Sequence, residues 1–129
     1  MSDPIFFLSH FRIKEGRFDA VGQLTREVSA QLLAEKPRTV LFLSYADTDR
    51  GTISFLHAFA DEEAMDLHNV GSADRSRAAY EHVEPLAWEV YGRPSAAAVE
   101  TLRQAAASSG VPLALHPEYL AGFLRLMPA

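Results

Sequence analysis

The chain has 129 residues and a formal net charge of −5, and 48% of its residues are hydrophobic. This length predicts one domain with one core. The sequence has no cysteine, which excludes disulfides and thiolate nucleophiles and is typical of a reducing compartment. Lys and Arg form no run, so nucleic-acid binding is disfavoured. No apolar run approaches about 18 residues, and the first residues lack the pattern of a signal peptide, so we expect a cytoplasmic protein without a membrane span.

The first half of the chain predicts a strand, a helix and a hairpin. Residues 4–13 alternate between two largely apolar faces, as in a strand that is covered on both sides. Apolar residues with helical spacing follow over residues 18–34. Two further strands, 39–46 and 52–60, flank a polar turn and therefore predict a hairpin.

The second half begins at Asp61, a good N-cap residue that is followed by two glutamates in the first helical turn. The predicted elements are a helix from Asp61 to about residue 70, a second helix over 74–83, a strand over 86–91, an Ala-rich helix from Ser95 to Gly110, and one or two short extended segments in 111–126.

This order predicts an α+β protein with a ferredoxin-like βαββαβ antiparallel sheet, to which a C-terminal helix and strand are added. We expect a single domain over residues 1–129, with a core at 4–93 and an extension at 94–129. In the third strand, Ile53, Phe55 and Phe59 share one face, and the other face is hardly more polar. Since the helices of this fold cover only one face, the second face is predicted to be buried against another copy in a homodimer.

One segment, residues 55–68, joins a strand with an aromatic end to an acidic N-cap, a Glu-Ala pair and a histidine on the inner side of a helix. Together with the Lys-Glu-Gly-Arg-Phe turn after the first strand and the hairpin before the segment, it resembles the antibiotic biosynthesis monooxygenase-like domains of the dimeric α/β-barrel superfamily. The resemblance covers roughly residues 4–93. Members of the superfamily include cofactor-free oxygenases, haem degraders and isomerases. They often carry a carboxylate at the position of His57, where this chain departs from them.

The two histidines of this segment are the candidate catalytic residues. His68 shares its helix face with Met65, and the resemblance places that face toward a cavity between helix and sheet. A neutral imidazole there can take a proton from a phenol or an enol. The alternative is a helix-end histidine that anchors the following turn. His57 points where Phe55 points, and it is either a pocket base or a core histidine that bonds to a neighbour.

Four further residues are candidates for substrate binding. Trp88, the single tryptophan, is able to stack on a planar aromatic substrate, although such a residue is more often part of the core. Tyr45 and His10 lie on strand faces and are predicted to line the same cavity, with ordinary packing as the stronger alternative. The resemblance adds Asn69, because cofactor-free oxygenases of the superfamily often hold their substrate with an amide.

The sequence predicts no metal and no cofactor. The five histidines lack the spacing of metal ligands, and there is no glycine-rich phosphate loop or nucleophile elbow. The resemblance implies a cofactor-independent monooxygenase that acts on a small planar aromatic or quinol-type substrate, with His68 or His57 as the base. Two alternatives remain open: a small-molecule-binding or structural dimer module without catalysis, and an isomerase that uses the same cavity.

Overall fold

The structure, a computed structural model, describes residues 3–127. Within this range the elements follow in the order β1 (Ile5–Ile13), α1 (Phe18–Glu35), β2 (Thr39–Asp47), β3 (Thr52–Phe59), α2 (Glu62–Asn69), α3 (Ser72–Ala79), β4 (Val83–Tyr91), α4 (Ala96–Ser109) and β5 (Leu113–His116). No helix in the described part of the chain is long and apolar enough to cross a membrane.

The strands form one open sheet in the order β2-β3-β1-β4-β5. The first four strands pair antiparallel, which confirms the predicted ferredoxin-like plan. β5, the added C-terminal strand, pairs parallel to β4, so the sheet as a whole is mixed. The physical reason is α4, because a helix between two strands returns the chain to the starting edge and allows the second strand to run parallel.

Two element boundaries differ from the prediction by more than two residues, and both lie near β4. The strand starts at Val83 and so includes Pro85, which the sequence pattern places outside any strand. A register shift between His10 and Phe11 of β1 leaves Leu86 as an extra residue in β4, and such a bulge accommodates a proline in a strand. α3 ends at Ala79 instead of continuing to residue 83, because residues 80–82 form the turn that leads into β4.

The core lies between the inner face of the sheet and the helices. It contains two clusters of buried residues, Ile5, Phe59, Ala64, Met65 and Val90 in one and Phe11, Ile13, Val21, Ile53 and Val83 in the other. The odd-numbered residues of β1 and β3 supply this face, as strand alternation requires. The even-numbered residues of both strands form the outer face, which no helix covers.

Candidate functional site

A cavity of about 640 Å³ lies between the inner face of the sheet and the four helices. Its walls are mainly aliphatic and aromatic side chains from β1, β3, α1 and α4, whereas α2 and α3 supply most of the polar groups. This volume is in the range of small-molecule sites, which are typically apolar with a few placed polar groups.

His57 enters the cavity wall from β3. Its Nδ1 donates to the main-chain oxygen of Phe7 over 3.2 Å, and since a carbonyl oxygen only accepts, Nδ1 carries the proton. Nε2 therefore holds a lone pair and has no hydrogen-bond partner among the described residues. Every buried side-chain nitrogen or oxygen in that range does have a partner, so Nε2 of His57 is open to the cavity. Burial lowers the pKa of His57 to about 4, although the bond to Phe7 opposes this shift.

His68 lies beside His57 and projects from α2. The two rings meet edge to face, with their centroids 5.2 Å apart, and only 5% of His68 is exposed. Oγ1 of Thr39, the first residue of β2, lies 2.7 Å from Nδ1 of His68. Burial, together with the charges of Arg75 and Lys36 and the neighbouring His57, lowers the pKa of His68 to about 3. Both imidazoles are therefore neutral at pH 7.

The two ends of α2 are tied down, and this fixes His68. At the start, Asp61 accepts a hydrogen bond from the amide of Ala64 over 2.9 Å, which confirms the predicted N-cap. At the end, Nη2 of Arg75 donates to the main-chain oxygen of His68 over 2.7 Å, and Nζ of Lys36 donates to that of Leu67 over 2.9 Å. Cations at this end also interact favourably with the helix dipole.

Four of the six predicted site residues come together around this cavity. His57, His68, Trp88 and Asn69 all line it, and Trp88 is only 5% exposed in the middle of β4. Their roles in catalysis and substrate binding stay predictions. Sequence analysis did not single out Thr39 or Arg75. The hydroxyl of Thr39 meets His68 across 29 residues of chain, and α3 lacks the apolar spacing that would have shown which of its faces points inward.

The other two predicted residues, His10 and Tyr45, lie on the outer face of the sheet and do not line the cavity. Nδ1 of His10 bonds to Oγ of Ser54 over 2.8 Å, and its Nε2 bonds to Oε1 of Glu89 over 2.9 Å. Tyr45 is 62% exposed. The expectation that both line the same cavity is wrong, because alternate strand residues point to opposite faces and the helices cover only one of them.

The cavity contains one carboxylate, that of Asp66, which accepts a hydrogen bond from Oγ of Ser95 over 2.8 Å. Among residues 3–127, no three His, Cys, Asp or Glu side chains lie close enough together to hold a metal ion. The other polar groups that line the cavity are two neutral imidazoles, a guanidinium group, and scattered hydroxyl and amide groups.

The sheet order and the cavity between sheet and helices define a ferredoxin-like α+β fold, the fold of solved structures described as antibiotic biosynthesis monooxygenases. This agrees with the resemblance noted in the sequence. No family model matches the chain, and no curated protein sequence matches it either. The comparison therefore rests on solved structures. Their sequence identities to this chain are low, so they show the fold alone.

MupZ from Pseudomonas fluorescens is 14% identical and superposes with a TM-score of 0.72 over 99% of this chain and 100% of its own. That match includes the C-terminal helix and strand. SnoaB, a cofactor-independent oxygenase from Streptomyces nogalater, is 12% identical with a TM-score of 0.59 over 73% of this chain and 96% of its own. A proposed antibiotic biosynthesis monooxygenase from Caulobacter crescentus CB15 is 14% identical with a TM-score of 0.60 over 69% and 88%.

Proposed function

We propose that this chain is a cofactor-independent monooxygenase that oxidises a small planar phenol or quinol in the cavity between sheet and helices. The observation that carries the proposal is the edge-to-face pair of neutral imidazoles, His57 and His68, in the wall of an otherwise apolar cavity. The likeness in fold to SnoaB supports it.

The reaction begins when Nε2 of His57 takes the proton of an acidic phenol or enol, since this nitrogen holds the lone pair. The electron-rich anion transfers one electron to dioxygen, and the resulting radical pair joins to form a carbon–oxygen bond. The proton returns from the imidazolium to give a hydroperoxide. Loss of water from the C(H)–OOH group leaves a carbonyl. One substrate and one dioxygen thus give one quinone and one water, and the imidazole is restored.

The shape of the cavity favours flat substrates. Phe7 and Phe42 lie beside the ring of His57, with centroids 5.4 and 5.2 Å away, and Trp88 lines the same space. Aromatic walls stack well on planar rings. Apolar walls also limit the water around a radical or a peroxide and so limit side reactions.

Oxygen consumption with a panel of quinols and naphthols tests the proposal. The wild type is expected to consume dioxygen and to place one labelled oxygen atom in the product and the other in water. His57→Gln should lower the rate by about 100-fold or more, the usual contribution of a positioned base, and His68→Gln should also lower it, because it removes the ring that packs against His57. His82→Gln is the matched control, because His82 does not line the cavity. Equal rates in all four proteins would remove the support for an oxygenase.

An isomerase is the second candidate, and the same pair of bases favours it. Two neutral imidazoles 5.2 Å apart are suited to remove a proton from one carbon and return it to another without dioxygen. Turnover under anaerobic conditions, with deuterium from the solvent entering the product, would support this candidate. A ligand that changes the fluorescence of Trp88 without any turnover would instead support a binding module.

We also propose that the outer face of the sheet joins two copies in a homodimer. Leu43, which pairs with Leu56 of β3, is 42% exposed on that face. Light scattering at micromolar concentration should give twice the chain mass. Leu43→Asp should yield monomers, because it places a charge on the face that the dimer would bury. A monomeric wild type would contradict the proposal.

A further inference from the structure

Arg75 is the only cationic side chain among the described residues that line the cavity. Its guanidinium group is partly buried and donates to two main-chain oxygens, those of His68 over 2.7 Å and Val70 over 3.3 Å. A guanidinium group has five N–H bonds, so three of them remain for a ligand or water.

The charge of Arg75 has no carboxylate partner. Within residues 3–127, no carboxylate lies within ion-pair distance of it, and the charge of Glu35 acts on it only from farther away. Burial lowers the pKa of Arg75, which reflects the cost of holding this cation away from water. Asp66, the carboxylate of the cavity, bonds to Ser95 instead. A partly desolvated cation beside an apolar space favours an anionic ligand.

The histidines alone do not explain how a phenol would lose its proton. An ordinary phenol has a pKa of about 10, whereas burial holds that of His57 at about 4, so proton transfer between them is disfavoured by about a million-fold. A nearby cation that stabilises the oxyanion reduces this cost, and a substrate that is already ionised avoids it. The positive charge of Arg75 helps to lower the pKa of both imidazoles, so it also acts on a ligand that lies beside them.

We propose that Arg75 selects substrates that occupy the cavity as an oxyanion, namely acidic enols, hydroxyquinones or acidic phenols, and holds that oxyanion beside His57 and His68. The inference rests on the cavity of the proposed function, but it concerns binding and not turnover. It narrows the substrate class from planar aromatics in general to those that ionise near neutral pH.

Fluorescence of Trp88, the single tryptophan, reports binding in the cavity that it lines. The probes are a hydroxynaphthoquinone, which is ionised at neutral pH, and its neutral O-methyl ether. We expect the wild type to bind the anion about 10- to 100-fold more tightly than the ether, the factor that a hydrogen bond to a charged group typically supplies. Arg75→Gln should abolish this preference, and Arg75→Lys should restore part of it.

Lys36→Gln is the matched control, because Lys36 also donates to the main-chain oxygen of Val70 but does not line the cavity. The control should keep the preference. A preference that survives in Arg75→Gln, or that Lys36→Gln loses equally, would show that Arg75 only caps α2 and would overturn the proposal. If Arg75→Gln does not fold, the salt dependence of binding to the wild type tests the proposal. Added salt should weaken binding of the anion and leave binding of the ether unchanged. Equal salt responses of the two probes would overturn the proposal.

Oxygen uptake separates this inference from the proposed function. A preference for the anion that depends on Arg75, without any oxygen uptake, would remove the oxygenase and leave the oxyanion site. Oxygen uptake that requires His57 but is equally fast in Arg75→Gln would keep the oxygenase and remove the oxyanion site.

Discussion

Replacing Thr39 by valine tests the hydrogen bond that fixes His68 in the cavity wall. Oγ1 of Thr39 lies 2.7 Å from Nδ1 of His68, which is only 5% exposed. Valine keeps the β-branched shape that suits a strand, so the substitution removes a hydroxyl group and changes little else. Nδ1 of His68 then faces a methyl group instead of its partner.

The expected cost follows from the burial of this pair. A buried polar atom that loses its partner costs about 1–3 kcal/mol of stability. Thr39 itself is only partly buried, so water can reach its side of the pair, and we expect the lower part of that range, about 1–2 kcal/mol. Without this hydrogen bond the ring of His68 should also rotate more freely, whereas in the wild type it has one fixed orientation against His57.

Urea denaturation at pH 7 measures the loss, with Thr52→Val as the matched control. Thr52 is also a partly buried strand residue, and its hydroxyl bonds to no other side chain in the described range. The control should change the free energy of unfolding by less than about 0.5 kcal/mol. If Thr39→Val proves as stable as Thr52→Val, or if nitrogen NMR shows one unchanged tautomer of His68, the hydrogen bond does not have the role assigned to it.

Three further substitutions test the same structure. Burial holds the pKa of folded His57 at about 4, below its ordinary 6.5, so the unfolded state binds more protons between these values and wild-type stability falls as pH drops from about 6.5 to 4. His57→Phe should reduce that fall in urea titrations, and the lowered pKa of His68 should account for the part that remains. Asp61→Ala should cost about 1–2 kcal/mol in thermal unfolding, since it removes the cap on Ala64 and a partly exposed pair with Arg38. Met65→Ala should cost about 2–5 kcal/mol in urea through the core cavity that it creates, and a loss under about 1 kcal/mol would contradict the packing described for α2.

Most of the fold could be predicted because its signals are local. Alternating apolar residues mark β1 and β3, and Asp61 marks the start of α2 by a hydrogen bond to a residue three positions later. The edge of the sheet that β5 joins was not predictable in this way, because a short apolar segment pairs equally well with either edge. Pro85 misled the prediction for β4, since the bulge that accommodates it depends on the register with β1.

The candidate site, like the fold, was only partly predictable from the sequence. The sequence by itself determined that His57 shares a strand face with Phe55 and that His68 shares a helix face with Met65, because periodicity sets the face on which a side chain lies. Only the tertiary structure decided that the two rings touch, that Thr39 bonds to His68, and that Arg75 lines the same cavity. These contacts join residues that are far apart in the chain, and their geometry depends on how the helices pack against the sheet.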